Sequence, residues 1–307
     1  MMDELIKKQP EPRQSRIQSL RNYLQNPGYF SILLLGERGT GKTHWINYFT
    51  EKLPLKGNIV TINCPLHEPL EEFWDSTFKV ANNGYLIIDE VEKLDKKSQE
   101  IILQIMSTGN GRYGFIEKEH LVRVVFTSSY DITALRDTEE YLTHAFFDRI
   151  AQLTTELPSF KEIDKGIRDD FKATWEKMAF GKATGEKYRK PGESLLHWLK
   201  INSNILHGNF RDLDKIAINW NQIQLNDNTL DDRTILEKIK QDFTKYYHFP
   251  GHKTELHDTF HFVKGKTKKE MEDEWRRTFK RWAKREYGTL KKATKALGMG
   301  ERGFEKW

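Results

Sequence analysis

The 307-residue chain is 37% hydrophobic and 31% charged, a globular balance that excludes both a disordered tract and a membrane-embedded one. Its longest apolar runs, such as 32–35 and 85–88, span a few residues, far short of the ~20 needed to cross a bilayer. The single cysteine, Cys64, excludes an internal disulfide; with an N-terminus that has no apolar signal segment, it makes a reducing cytoplasm the expected compartment. Cys64 reads as a small buried hydrophobe, since nothing nearby would stabilise a thiolate.

The net charge of +5 is unevenly spread. Residues 264–307 hold 15 Lys and Arg against 7 Asp and Glu, leaving 35 against 38 for the rest. Any polyanion-binding surface therefore belongs to the C-terminal segment, where cations can displace counterions from phosphates.

In chain order, residues 1–14 are polar and contain Pro10 and Pro12, and read as a loose leader. A short amphipathic helix follows at 15–24. After the turn signal Asn26-Pro27-Gly28, residues 30–35 read as a buried strand, because their apolar residues are continuous and do not alternate. Residues 44–52 have helical character. Strand-like runs recur at 58–63, 85–89 and 121–128, separated by helical stretches at 71–80 and 96–107. That alternation predicts a parallel sheet covered on both faces, so that residues 15–158 form an α/β domain. Beyond Pro158 strand signals stop, and helices at 161–178, 192–201, 210–222 and 232–247 define a separate helical unit, 159–247. A linker at 248–265 contains His248, His252, His257 and His261. The last two share an i, i+4 spacing without a cysteine or acidic partner to complete a metal set, so the segment reads as a polar linker. Residues 266–307 form a basic tail with helical patterns at 268–287 and 289–297.

Gly36-Glu37-Arg38-Gly39-Thr40-Gly41-Lys42-Thr43 matches the G-x-x-x-x-G-K-[ST] phosphate loop at every fixed position. Its glycines let successive amides face a phosphate, Lys42 would neutralise the β and γ oxygens of ATP, and Thr43 would hold Mg²⁺. The loop follows an apolar strand and opens a helix, whose N-terminus favours anions. A second apolar run ends in Asp89-Glu90. There Asp89 would hold Mg²⁺ and Glu90 would act as general base toward the attacking water.

These ordered motifs resemble the AAA+ domain of bacterial enhancer-binding proteins, the activators that remodel sigma-54 RNA polymerase, over residues 30–220. The resemblance implies a P-loop AAA+ fold, with the helical unit serving as a lid over the nucleotide. It also implies further roles: Asn63 contacts the catalytic glutamate, Ser128-Ser129 ends the sensor 1 strand, and Arg211 in Gly208-Asn209-Phe210-Arg211-Asp212-Leu213 reaches the γ-phosphate from the lid. Arg149 stands where the family presents an arginine to the neighbouring subunit's nucleotide, implying a homo-oligomeric ring, hexamer or heptamer. Some positions depart from the pattern. Ser128-Ser129 replaces the usual Thr-Asn, the other arginine position is Thr143, and the segment between Cys64 and Asn82 is too short for the family's sigma-contacting Gly-Ala-Phe-Thr-Gly-Ala insertion. Phe73 and Trp74 in that segment read as core residues. The loop at 109–114 remains available for another client.

Residues 289–307 resemble a Fis-type helix-turn-helix. Arg302 and Lys306 would approach bases or phosphates, with Lys291, Lys292, Arg281 and Arg285 on the backbone of double-stranded DNA. The expectation is an oligomeric ATPase that binds DNA through its tail and remodels a protein partner in transcription control, with direct sigma-54 activation disfavoured. Two alternatives stand beside it: a DNA-bound switch set by ATP, and an ATPase subunit of a multi-protein system whose tail docks protein.

Overall fold

The structure, a computed structural model, describes residues 2–26, 28, 30–53, 55–64, 71–107, 115–116, 120–163, 166–179 and 189–246. These lie in one compact unit, Met1–His248. The loop at 109–114, the histidine-containing linker at 248–265 and the basic tail with Arg281, Arg285, Lys291, Lys292, Arg302 and Lys306 lie outside the described residues.

A five-stranded sheet forms the centre: β1 (Ile32–Leu35), β2 (Ile59–Asn63), β3 (Tyr85–Asp89), β6 (Arg123–Ser128) and β7 (Leu153–Glu156). All pairs are parallel, in the order β2-β3-β6-β1-β7. The continuous apolar runs are explained by burial on both faces. Leu33, Leu35, Leu86, Ile88, Val124 and Phe126 point into one core, while Ile32, Leu34, Tyr85, Ile87 and Val125 point into the other. The second face is covered by α2 (Arg13–Gln25) and α3 (Lys42–Lys52) through Ile17, Leu20, Leu24, Trp45, Ile46 and Phe49. The first is covered by α4 (Glu71–Val80), α5 (Lys96–Ser107) and α7 (His144–Ile150). Trp74 is fully buried there, as the sequence suggests.

Three features differ from the sequence reading. The run at 121–128 divides: β6 begins at Arg123, while β5 (His120–Leu121) pairs antiparallel with β4 (Phe115–Ile116) in a separate ribbon. The strand β7 and the short α6 (Ile132–Asp137) carry no apolar run or period that announces them. The loose-leader reading of residues 1–14 is corrected: α1 (Met2–Lys7) places Ile6 in the core, and Arg13 opens α2 at 1% exposure. Apolar periodicity is blind to such a segment, because what anchors it is a buried cation. Arg13 donates to Asp170 at 2.8 Å and stacks 4.8 Å from the Phe210 ring and 5.5 Å from that of Phe160.

Asp170, Phe160 and Phe210 belong to the helical unit that follows β7. There α8 (Ile167–Ala179), α9 (Glu193–Ile201), α10 (Phe210–Asn226) and α11 (Asp232–Tyr246) pack around Trp175, Trp198, Leu213, Trp220 and Phe243. Buried side chains on one stripe of each helix give this second core the i, i+3, i+4 spacing read from the sequence. Arg13 thus ties the N-terminal helices to the lid.

Candidate functional site

In an open parallel sheet, ligands sit beyond the carboxyl ends of the strands, and the residues singled out by the motifs converge there. The phosphate loop follows β1 and opens α3; Asp89 and Glu90 end β3; Ser129 follows β6. One cleft is lined by Arg38, Gly39, Gly41, Lys42, Thr43 and His44, by Asp89, Glu90 and Ser129, and by Phe210, Arg211 and Asp214 from the lid.

The loop needs its glycines. Gly36, Gly39 and Gly41 have φ of 147°, 77° and 97°, a region side-chain-bearing residues rarely occupy. Thr40 turns inward, its hydroxyl donating to the Glu37 carbonyl at 2.9 Å. Lys42 Nζ donates to the Gly36 carbonyl at 2.6 Å and to that of Glu37 at 3.4 Å. Burial lowers the Lys42 pKa, opposed by the carboxylates of Asp89, Glu92 and Glu90, while Arg211 lowers it further. Lys42 and Arg211 thus present two cations to one space. The Glu37 carboxylate is not part of the cleft lining and pairs with Lys161 at 3.0 Å.

The acidic side is organised by β6. Thr127 Oγ1 donates to Asp89 and accepts from the Glu90 backbone N–H at 3.3 Å. Glu90 has φ 57° and ψ 52°, a left-handed conformation that is costly for a non-glycine residue and typical of functional turns. Its carboxylate is ion-paired with Lys93. Thr43 and Asp89 offer hard oxygen donors on the same cleft, which suits magnesium held by one or two protein groups plus substrate phosphates. Among the described residues no group of three or more His, Cys, Asp or Glu forms a metal cage.

Two residues implied by the family pattern are not among those lining this cleft, although Asn63 pairs with Asp89 in register. Asn63 ends the exposed edge strand β2, and the hydrogen bond to the Glu90 side chain comes from Lys93 instead. Arg149 lies on α7, its guanidinium donating to Ser107 Oγ at 3.0 Å, and neither residue lines the cleft.

Several contributors went unassigned in the sequence. Asn209 is 1% exposed at φ 51°, ψ −125°. Its Oδ1 accepts from Phe160 N–H at 2.7 Å and its Nδ2 donates to the Arg38 carbonyl at 3.0 Å, so it joins the start of the helical unit at Phe160 to the phosphate loop. Its place beside Arg211 in the Gly208–Leu213 motif was the available signal. Glu92 is buried and accepts from both Ser129 donors. His44 and Asp214 line the cleft from α3 and α10. Burial lowers the His44 pKa, with Lys177 adding to the effect, and burial raises that of Asp214 against Lys177. Cys64 is buried as expected, and burial, followed by Glu92, Asp89, Glu90 and Asp95, pushes its thiol up to about 12.

Among the described residues no helix is long and apolar enough to cross a membrane. Residues 13–160 match the family model described as "Sigma-54 interaction domain". No curated protein sequence matches the chain. Among solved structures, NtrX from Brucella abortus in complex with ADP is similar at 16% identity and a TM-score of 0.60, over 96% of this chain and 67% of that one. The same protein in complex with ATP gives 0.58 at 16% identity, over 95% and 65%. The Holliday junction branch migration motor RuvB from Thermotoga maritima gives 0.53 at 13% identity, over 74% and 69%. The chain thus spans about two thirds of the NtrX chain. The parallel five-stranded order, the glycine loop between β1 and α3 and the helical unit after β7 give this chain the fold of the AAA+ P-loop ATPases, with the sigma-54 interaction domain as the family pattern matched by residues 13–160.

Proposed function

We propose that the chain is an ATP-hydrolysing AAA+ protein that works as a homo-oligomeric ring, binds double-stranded DNA through residues 266–307, and remodels a protein partner in transcription control. One observation carries the reading: Lys42, Thr43, Asp89, Glu90, Ser129 and the lid residue Arg211 share a single cleft. Backbone amides of the phosphate loop and the N-terminus of α3 would bind the phosphates of ATP. Bound magnesium, held by Thr43 and Asp89, would neutralise charge on the phosphate oxygens. Glu90 takes a proton from the attacking water as that oxygen bonds to the γ-phosphorus, the bond to the β-phosphate oxygen breaks, and ADP and phosphate leave. Lys42 and Arg211 stabilise the charge gathered on the transferred group.

Arg149 is not among the residues lining its own cleft, which supports a role toward a neighbouring subunit's nucleotide and makes turnover depend on assembly. The short segment between Cys64 and Asn82 supports a client other than sigma-54. The similar NtrX structures, one in complex with ADP and one with ATP, support nucleotide binding.

A second reading, an ATP-set switch with little turnover, is favoured by the Lys93–Glu90 pair, which occupies the general base. ATP turnover measured against protein concentration, with and without duplex DNA, separates the two. Specific activity that climbs with concentration supports the ring, and negligible turnover at every concentration supports the switch. Duplex DNA titrated into the full chain at two salt concentrations tests the tail. Salt-sensitive binding is expected, and no binding at low salt removes the DNA-based readings.

A further inference from the structure

Glu92 sits two residues past the general base, in the 3-10 turn Val91–Lys93, and is 7% exposed. Its Oε1 accepts from the Ser129 backbone N–H at 3.2 Å and from the Ser129 hydroxyl at 2.8 Å. Among the described residues its Oε2 is buried without a hydrogen-bond partner. A buried acid with half its acceptor capacity unmet is a burden to the fold, and here its bonding is spent on one residue that lines the nucleotide cleft.

A serine hydroxyl has one proton and two lone pairs. With the proton committed to Glu92, Ser129 Oγ can no longer donate to a phosphate oxygen; it can only accept. The attacking water has two protons to place. Glu90 and Ser129 line the same cleft, and each offers an acceptor.

We propose that Glu92 is a positioning residue that holds Ser129 as a pure acceptor, so that Ser129 Oγ accepts a hydrogen bond from the second water proton while Glu90 removes the first. Ser129 keeps no proton from the reaction, and the balance of the hydrolysis is unchanged. Where the related pattern uses an amide, this chain builds the same orientation from a hydroxyl and a buried carboxylate. The inference rests on the hydrolysis reading.

The test is kcat and KM for ATP in the full chain at assembling concentration, for Glu92→Met, Glu92→Gln, Ser129→Ala and the double variant Glu92→Met/Ser129→Ala. Glu92→Met and Ser129→Ala should each lower kcat about tenfold through lost orientation of the water, with KM within about twofold. Glu92→Gln keeps an acceptor at Oε1 and should stay within about threefold of wild type, since the amide oxygen still accepts from both Ser129 donors. The double variant should be no slower than Glu92→Met alone, because the two residues act as one unit. Unchanged kcat in Glu92→Met, or losses that multiply in the double variant, overturns the inference while leaving the hydrolysis reading intact. A wild-type chain without turnover overturns both. Should Glu92→Met melt below the assay temperature, Ser129→Thr against Ser129→Ala decides. Turnover retained only by the hydroxyl-bearing variant supports the inference, and equal kcat in the two overturns it.

Discussion

The carbonyl oxygen of Gly39 accepts a 3.0 Å hydrogen bond from the backbone N–H of Phe210, which joins the tip of the phosphate loop to the first residue of α10. Asn209 adds a second link at the Arg38 carbonyl. Arg211 follows one residue later, so the height of the lid arginine above the cleft is set by the loop that would grip the phosphates. A β-carbon on Gly39 would lie 1.9 Å from the Gly208 carbonyl oxygen, and the residue has φ +77°.

Gly39→Ala should therefore push the lid off the loop. Backbone strain and the clash act together, and ADP affinity is expected to fall at least about tenfold, or ~1.4 kcal/mol. Isothermal titration with ADP checks this, and an unchanged dissociation constant would show that the loop and lid move independently.

Glu90→Gln removes the proton acceptor and leaves the shape of the site. Turnover should fall by about 10² or more, as for loss of a general base, while ATP affinity stays within a few-fold. Steady-state hydrolysis paired with nucleotide titration reads both quantities. A variant with near-wild-type turnover would move the base elsewhere.

Arg13→Ala leaves Asp170 buried without its cation. The expected loss is about 3 kcal/mol in urea denaturation at neutral pH, with Arg13→Ala/Asp170→Ala losing less than the single variant. Burial already raises the Asp170 pKa in the folded chain, against the lowering influence of Arg13. A raised carboxyl pKa means that the folded state binds the proton more tightly than the unfolded one, so the penalty is full above the folded pKa and fades as pH falls toward the ordinary value of 3.8. The Arg13→Ala deficit should shrink with acidification over that window. A deficit that stays constant across that window would place the damage in packing instead.

Cys64 gives a separate check on the acidic side of the cleft. Its pKa is raised from 9.0 to about 12, so at pH 8 the thiolate that reacts with disulfide reagents is almost absent from the folded chain. Labelling with a chromogenic disulfide should be slow in native protein and fast in urea. Rapid stoichiometric labelling of the native chain would mean that the β2 end is open.

How much of this was readable in the sequence depends on the kind of force involved. Strands β1 and β3 are buried on both faces and so appear as Ile32–Leu35 and Tyr85–Asp89, unbroken apolar runs with sharp ends. The lid helices show themselves through their apolar stripe. The glycine loop is legible because three residues must adopt positive φ. Strand β7, Leu-Thr-Thr-Glu, is an edge strand with a mixed face and offers no such run. The N-terminal helices are held by Arg13, whose buried charge is matched by a residue 157 positions away, a pairing no local period encodes. Glu92 was hidden for the same reason: its partner Ser129 lies 37 residues on, just past the end of the neighbouring strand β6.

The central claim is that ATP and ADP bind where β1 turns into α3, gripped by the loop amides and Lys42. Equilibrium binding of a fluorescent ADP analogue to wild type and to Lys42→Ala tests it most directly. Saturable binding to wild type, weakened by about tenfold or more in Lys42→Ala through loss of its charge-assisted contacts, is the expected result. No measurable binding to wild type, or equal affinity in the two proteins, would contradict the account.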